Sequence, residues 1–159
     1  MISACLLGVN CRYDGGSKPV PGLRQRLASF QLAPFCPETL GGLSIPRPPA
    51  EISGADGAAV WEGKARVVNR DGLDRTDQFR QGAAATLDLA RQLKPVLIIC
   101  KANSPSCGAA GIYDGTFSGT LRQGDGVTVA LLRGEGIPMM TENQLDRELD
   151  QFLAMLTDK

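Results

Sequence analysis

Three cysteines, in SACLLG, FCPETLGG and NSPSCG, each stand past a short apolar run, and no other feature constrains the fold of this chain so strongly. A continuous apolar run suits a parallel strand buried on both faces, and open α/β sheets collect ligands beyond the carboxyl ends of such strands. If the three runs are neighbouring parallel strands, Cys5, Cys36 and Cys107 meet at one sheet edge. The chain has no histidine. That removes the Cys₂His₂ and Cys₃His zinc sites and the usual general base, leaving the chemistry to cysteine, carboxylate, hydroxyl and lysine. Three thiolates suit an iron–sulfur cluster or a zinc ion.

Between these runs, strand and helix patterns alternate. Residues 1–7 read as a buried strand, and Leu23, Leu27 and Phe30 recur at helical spacing after Pro21. Residues 33–36 give a second strand, followed by the stiff irregular loop GGLSIPRPPAEI. Residues 58–61 and 65–69 suggest a small hairpin or edge pair. Residues 74–93 carry the clearest helical pattern: Thr76 is placed to cap it, Asp74 and Asp77 complement its positive end, and Phe79, Ala83, Leu87 and Ala90 share one face. A third strand covers 95–100, and the glycine- and serine-rich stretch 101–126 is too long for a simple connector. Residues 127–133 read as a helix stopped by Gly134 or Gly136, with a strand reading of VTVALL also open. A fourth strand at 137–140 precedes a last helix, for which Thr141 and Gln144 have capping-box spacing and Leu145, Leu149, Phe152, Leu153 and Leu156 form the buried face. This alternation predicts an α/β fold: a Rossmann-like three-layer sandwich with a mainly parallel sheet of about four core strands, plus a small hairpin, in one domain over residues 1–159.

Composition narrows the function. Seventeen basic residues balance seventeen acidic ones, and no run of like charge tracks a phosphate backbone, which argues against nucleic acid as a partner. The longest apolar stretches, such as 96–100, are far too short to span a bilayer, and MISACLLG lacks the basic start of a secretory signal. A cytoplasmic location is expected. In that reducing setting five cysteines serve as metal ligands, catalytic thiols or buried apolar residues rather than disulfides.

A single cysteine at a strand end is commonly just packing. Three of them, each followed by a loop with glycine or proline that lets the backbone approach a cofactor, favour ligands. Cys100, inside VLIIC, reads as core. Cys11, six residues after Cys5, is in range to be a fourth ligand. The distinction matters, because four thiolates close a cluster for electron transfer whereas three leave a Lewis-acidic iron open. Glu38 is a candidate general acid or base at the cluster rim, or else a carboxylate complementing a helix start. Ser104 and Ser106 flank Pro105, where hydroxyls or turn N–H groups can hold substrate carbonyls or cluster sulfides. Lys101 is a weaker candidate for stabilising negative charge, and Arg12 and Arg47 are candidates to balance a thiolate-ligated cluster, Arg47 being pinned by Pro46, Pro48 and Pro49. Tyr13-Asp14-Gly15 and Tyr113-Asp114-Gly115 are matching turns with weak binding roles. No GxGxxG segment follows a strand and no Walker loop is present, so nucleotide phosphate binding has little support.

The segments SACLLG, CRYDGG, CPETLGGLSIPRPPAEI, NSPSCG and IYDGTFSGT, with GLDRTDQF and VTVALLRGEGIPMM, resemble a bacterial family whose characterised members include 2-thiouracil desulfidases. The similarity covers nearly the whole chain. It implies a [4Fe–4S] cluster held by Cys5, Cys36 and Cys107, with one iron lacking a protein ligand and Cys11 and Cys100 outside the ligand set. The implied reaction is non-redox conversion of a thiolated pyrimidine such as 2-thiouracil to the oxo base, with release of sulfide. Glu38 or a nearby hydroxyl activates water, and Ser104, Ser106 and Lys101 support the substrate. The substrate class is a small thiolated nucleobase or nucleoside, since zero net charge disfavours transfer RNA. Two other classes stand beside this one: an iron–sulfur or zinc binding module without turnover, and a thiol oxidoreductase using Cys5 with Cys11, for which the CxxC spacing is absent. The oligomeric state is not legible.

Overall fold

The computed structural model describes residues 1–157. The first half runs β1 (Ile2–Ser3), a 3₁₀ turn (Ala4–Leu7), α1 (Leu23–Arg26), β2 (Pro34–Phe35), α2 (Pro37–Leu40), β3 (Ala50–Ser53), α3 (Gly57–Trp61) and β4 (Arg66–Asn69). The second half runs α4 (Thr76–Leu93), β5 (Ile98–Cys100), β6 (Ile112–Tyr113), β7 (Leu121–Arg122), α5 (Val127–Leu132), β8 (Met139–Thr141) and α6 (Asp150–Thr157). Four strands make the central sheet in the order β2-β1-β5-β8, every pairing parallel.

Side chains alternate across a strand, and β5 shows how both faces of this sheet are covered. Ile99 joins Ile2, Leu23, Leu27, Met140, Leu145 and Leu149 on the side of α1 and the carboxyl-terminal helix. Ile98 and Cys100 join Phe35, Ala90, Val129 and Leu132 on the side of α4 and α5. Helix, sheet and helix thus form the three layers that strand–helix alternation predicts. A third apolar cluster, with Ile52, Val60, Val67, Phe79 and Ile112, underlies the antiparallel pair β3–β4.

Several local expectations are corrected. The strand expected over 1–7 stops at Ser3, where the chain tightens into the 3₁₀ turn ended by Gly8 at φ 88°. The apolar character of Leu6 and Leu7 reflects core burial, not ladder pairing. Residues 58–61 are not a strand but lie in α3, capped by Asp56, whose Oδ1 accepts from the Ala59 N–H at 3.0 Å. The partner of β4 is instead β3, drawn from the loop expected to be irregular, with Ile52 opposite Val67. Thr76 begins α4 without capping it; its hydroxyl accepts from the Val67 N–H, and Asp74 takes the Thr76 N–H at 2.8 Å. The long stretch 101–126 contains the hairpin β6–β7. The capping box of Thr141 and Gln144 is present as expected, but it opens a 3₁₀ turn (Glu142–Gln144) and a π-helical turn (Leu145–Leu149) before α6 begins at Asp150.

α2 and α4 meet backbone to backbone. A Cβ on Gly82 would lie 1.8 Å from the Pro37 carbonyl oxygen, and one on Gly41 would lie 2.0 Å from that of Gln78. Neither neighbour can yield, since both are helix backbone. Gly82→Ala is therefore expected to destabilise the protein by about 3 kcal/mol, the upper range for overpacking. Denaturant unfolding measures it, and an unchanged midpoint would refute the close contact.

Candidate active site

Each of the three cysteines lies beyond the carboxyl end of a sheet strand. Cys5 sits in the 3₁₀ turn after β1. Cys36 directly precedes α2, which opens on Pro37 at a position where no backbone N–H is needed. Cys107 lies in the turn that follows β5, where the Ser104 hydroxyl accepts the N–H groups of Ser106 at 3.2 Å and Cys107 at 3.1 Å. Gly126 presses on this turn: a Cβ there would lie 2.5 Å from the Ser106 carbonyl oxygen. Because β2, β1 and β5 are adjacent and parallel, Cys36, Cys5 and Cys107 line one cavity of about 480 Å³.

Cys11 lines the same cavity, and the Cys36 thiol donates to its carbonyl oxygen at 3.9 Å. The thiols are not equivalent. The hydrogen bond from Cys11 lowers the pKa of Cys5, with Arg12 and Lys101 assisting against burial. Cys36 is raised, first by its hydrogen bond to Cys11 and then by burial. Burial pushes Cys107 up to about 12, although Ser3 and Ser106 hydrogen-bond to it. Cys100 is raised by burial within the core and does not line the cavity. All five cysteines are free.

Among the described residues, no three Cys, Asp or Glu side chains converge tightly enough to hold a single metal ion. Sulfurs spaced around the wall of a cavity fit a multi-iron cluster, which presents its irons at separate corners, better than one tetrahedral zinc.

Glu38 stands in the first turn of α2 and lines the cavity. Its Oε1 accepts from the Ser106 hydroxyl at 3.1 Å, and Ser106 in turn lies 3.1 Å from the Ser104 hydroxyl. Its Oε2 accepts from Arg47 Nε at 2.8 Å and forms an ion pair with Nη2 at 2.6 Å. Arg47 also donates to the carbonyls of Cys11 and Ser44. The guanidinium that sequence assigns to cluster charge is thus committed to Glu38 and the loop backbone. Lys101 is similarly occupied: its ammonium pairs with Glu142 and donates to the Ala102 carbonyl, while Glu142 also takes the Ala102 N–H at 2.6 Å.

Arg12, Tyr13, Lys18, Arg70, Tyr113 and Phe117 complete the polar and aromatic side of the cavity. Arg12 Nε is buried without a hydrogen-bond partner among the described residues, 3.6 Å from Asp14 and with its guanidinium over the Tyr13 ring. The two matching turns are built alike, Asp14 accepting from the Gly16 N–H and Asp114 from the Thr116 N–H. Sequence reasoning thus names Glu38, Lys101, Ser104 and Ser106 as cavity residues, and all four line it. It misses Glu51 and Phe117, which line the cavity, and Glu142, which pairs with Lys101. The one available signal is an aromatic residue set among the small polar residues of IYDGTFSGT. No helix among the described residues is long and apolar enough to cross a membrane.

Comparison with known proteins follows the same lines. The family model for 2-thiouracil desulfurase matches residues 1–144. A Bacillus subtilis (strain 168) protein, the uncharacterized protein YbbK, is 43% identical over 146 residues, covering 92% of this chain and 97% of the relative. Among solved structures, that of the [4Fe–4S]-dependent thiouracil desulfidase TudS (DUF523Vcz) superposes with a TM-score of 0.82 at 42% identity, covering 97% of this chain and 96% of the other.

Proposed function

Since the chain belongs to the 2-thiouracil desulfurase family, we propose that it removes sulfur from a thiolated pyrimidine of the 2-thiouracil type, giving the oxo base and hydrogen sulfide. No electrons change hands: the ring carbon gains the oxygen of water and loses sulfur, which leaves with two protons. One observation carries the reading, a single cavity in which Cys5, Cys36 and Cys107 stand beside the hydrogen-bonded pair Glu38–Ser106.

Cys5, Cys36 and Cys107 would hold a [4Fe–4S] cluster, which would supply a Lewis-acidic iron for the soft thiocarbonyl sulfur. Glu38 is the general base. Arg47 holds one carboxylate oxygen and the Ser106 hydroxyl donates to the other, so the carboxylate accepts at both, as suits a proton acceptor. The Ser104 and Ser106 hydroxyls hold the attacking water, and its proton passes toward Glu38 through Ser106. Lys101, held in place by Glu142, keeps positive charge at the cavity wall as the adduct becomes anionic.

The cavity of about 480 Å³ falls in the range of small-molecule sites and accepts a base or nucleoside. The chain's zero net charge supports the same substrate size over a transfer RNA. Free thiols throughout support a reducing, cytoplasmic setting.

Anaerobic reconstitution with iron and sulfide, followed by assay of 2-thiouracil, 4-thiouracil and 4-thiouridine, tests the activity. Sulfide release that depends on the loaded cluster is the expected result. Bound iron with no turnover on any of the three supports a binding module instead, and turnover by the colourless protein supports thiol chemistry.

A further inference from the structure

Phe117 is held in a manner that packing does not explain. Its backbone is left-handed at φ 57°, a conformation that glycine and asparagine adopt readily and a bulky residue adopts only at a cost. Its ring is half-buried, belongs to none of the three apolar clusters, and lines the cavity that the cysteines line. The guanidinium of Arg70 lies over that ring, 5.6 Å from its centroid.

The surrounding tip is built to keep the ring in place. The carboxylate of Glu51, 7% exposed on β3, accepts the Phe117 N–H at 2.8 Å. Gly115 lies so close to β3 that a Cβ there would meet the Ile52 carbonyl oxygen at 2.6 Å. Hydroxyl contacts run along the tip, from Thr116 to Asp114 at 2.6 Å, Thr116 to Ser118 at 2.7 Å and Ser118 to Thr120 at 2.7 Å. A strained backbone and a buried carboxylate spent on one cavity-facing ring is the pattern of a preorganised ligand contact.

We infer that Phe117 is the surface on which the thiolated pyrimidine ring stacks, with Glu51 as its positioning residue; the inference rests on the desulfidase reading for the identity of the ring. A flat heteroaromatic ring gains from an aromatic face whatever its substituents, so this contact orients the ring while leaving the thiolated position to be presented elsewhere in the cavity.

Uracil, the oxo product, probes the contact without turnover. Calorimetric titration of uracil into the cluster-loaded protein is compared with 2-thiouracil kinetics for wild type, Phe117→Asn, Phe117→Tyr and Glu51→Ala. Phe117→Asn is expected to raise both the uracil Kd and the 2-thiouracil KM on the order of ten- to a hundredfold, the range for loss of one base–aromatic stack. Cluster absorbance and melting temperature should hold, because asparagine accepts the left-handed backbone. Phe117→Tyr restores affinity, and Glu51→Ala shifts KM more than kcat. Unchanged Kd and KM in Phe117→Asn, failure of Phe117→Tyr to restore them, or no uracil binding by wild type overturns the stacking role. Wild type that binds uracil through Phe117 but releases no sulfide overturns the desulfidase reading alone.

Discussion

Serine in place of Cys107 is expected to yield a folded protein that takes up no cluster and releases no sulfide. The oxygen of serine is a hard donor, and soft iron–sulfur sites select thiolate. Cys107 is buried beyond the carboxyl end of β5, in a turn fixed by Ser104 and pressed by Gly126, which holds its side chain in place. Serine at Cys5 or Cys36 should act the same way. Cys11→Ser is the informative contrast: Cys11 lies outside the proposed ligand set, and the contacts it makes to Cys36 and Arg47 are through its backbone carbonyl, which serine keeps. Iron content per chain, visible absorbance and sulfide release should all persist in that variant. Loss of all three in Cys11→Ser would falsify the three-ligand assignment and with it the open iron.

The second large effect falls on Glu38. Glu38→Gln is expected to lower kcat by roughly 10²- to 10⁴-fold, the usual contribution of a positioned general base, with cluster absorbance unchanged. The substituted amide can face Arg47 with its oxygen, but its NH₂ then meets Ser106, which must turn its proton away. The same change leaves Arg47, whose side chain is only 6% exposed, beside a neutral partner. Disrupting a buried ion pair costs about 3–5 kcal/mol when one charge is left unpaired, so denaturant stability should fall together with rate. A Glu38→Gln enzyme with wild-type kcat would move the base elsewhere in the cavity.

Legibility in the sequence tracked the range over which each feature is determined. α4 was readable because its amphipathic pattern repeats over eighteen residues, and the Thr141–Gln144 box because its chemistry is local. The cysteines were readable as a set because apolar runs mark strand ends, and parallel neighbours bring such ends together. The run AAVW misled because a short apolar stretch fits helix or strand alike, and Asp56 decided the matter through a cap. β3 was hidden behind prolines, its strand character supplied by pairing with β4. Glu142, Glu51 and Phe117 escaped for a stronger reason: Lys101 meets Glu142 forty-one positions away, and Phe117 meets Glu51 sixty-six positions away. Nothing in the local sequence encodes such meetings. Arg47 is legible as a cavity residue but its pairing with Glu38 is not, since a loop sequence cannot reveal which acid its guanidinium will face.

The glycine contact between α2 and α4 has a mechanical consequence. Where Gly41 and Gly82 bring the two backbones together there is no side-chain layer to absorb a shift, so a displacement of the long helix at that point is handed directly to the segment that carries Cys36 and Glu38. Scaffold and cavity should therefore exchange amide hydrogens as one cooperative unit, with little freedom to soften the cavity wall at α2 without loosening α4.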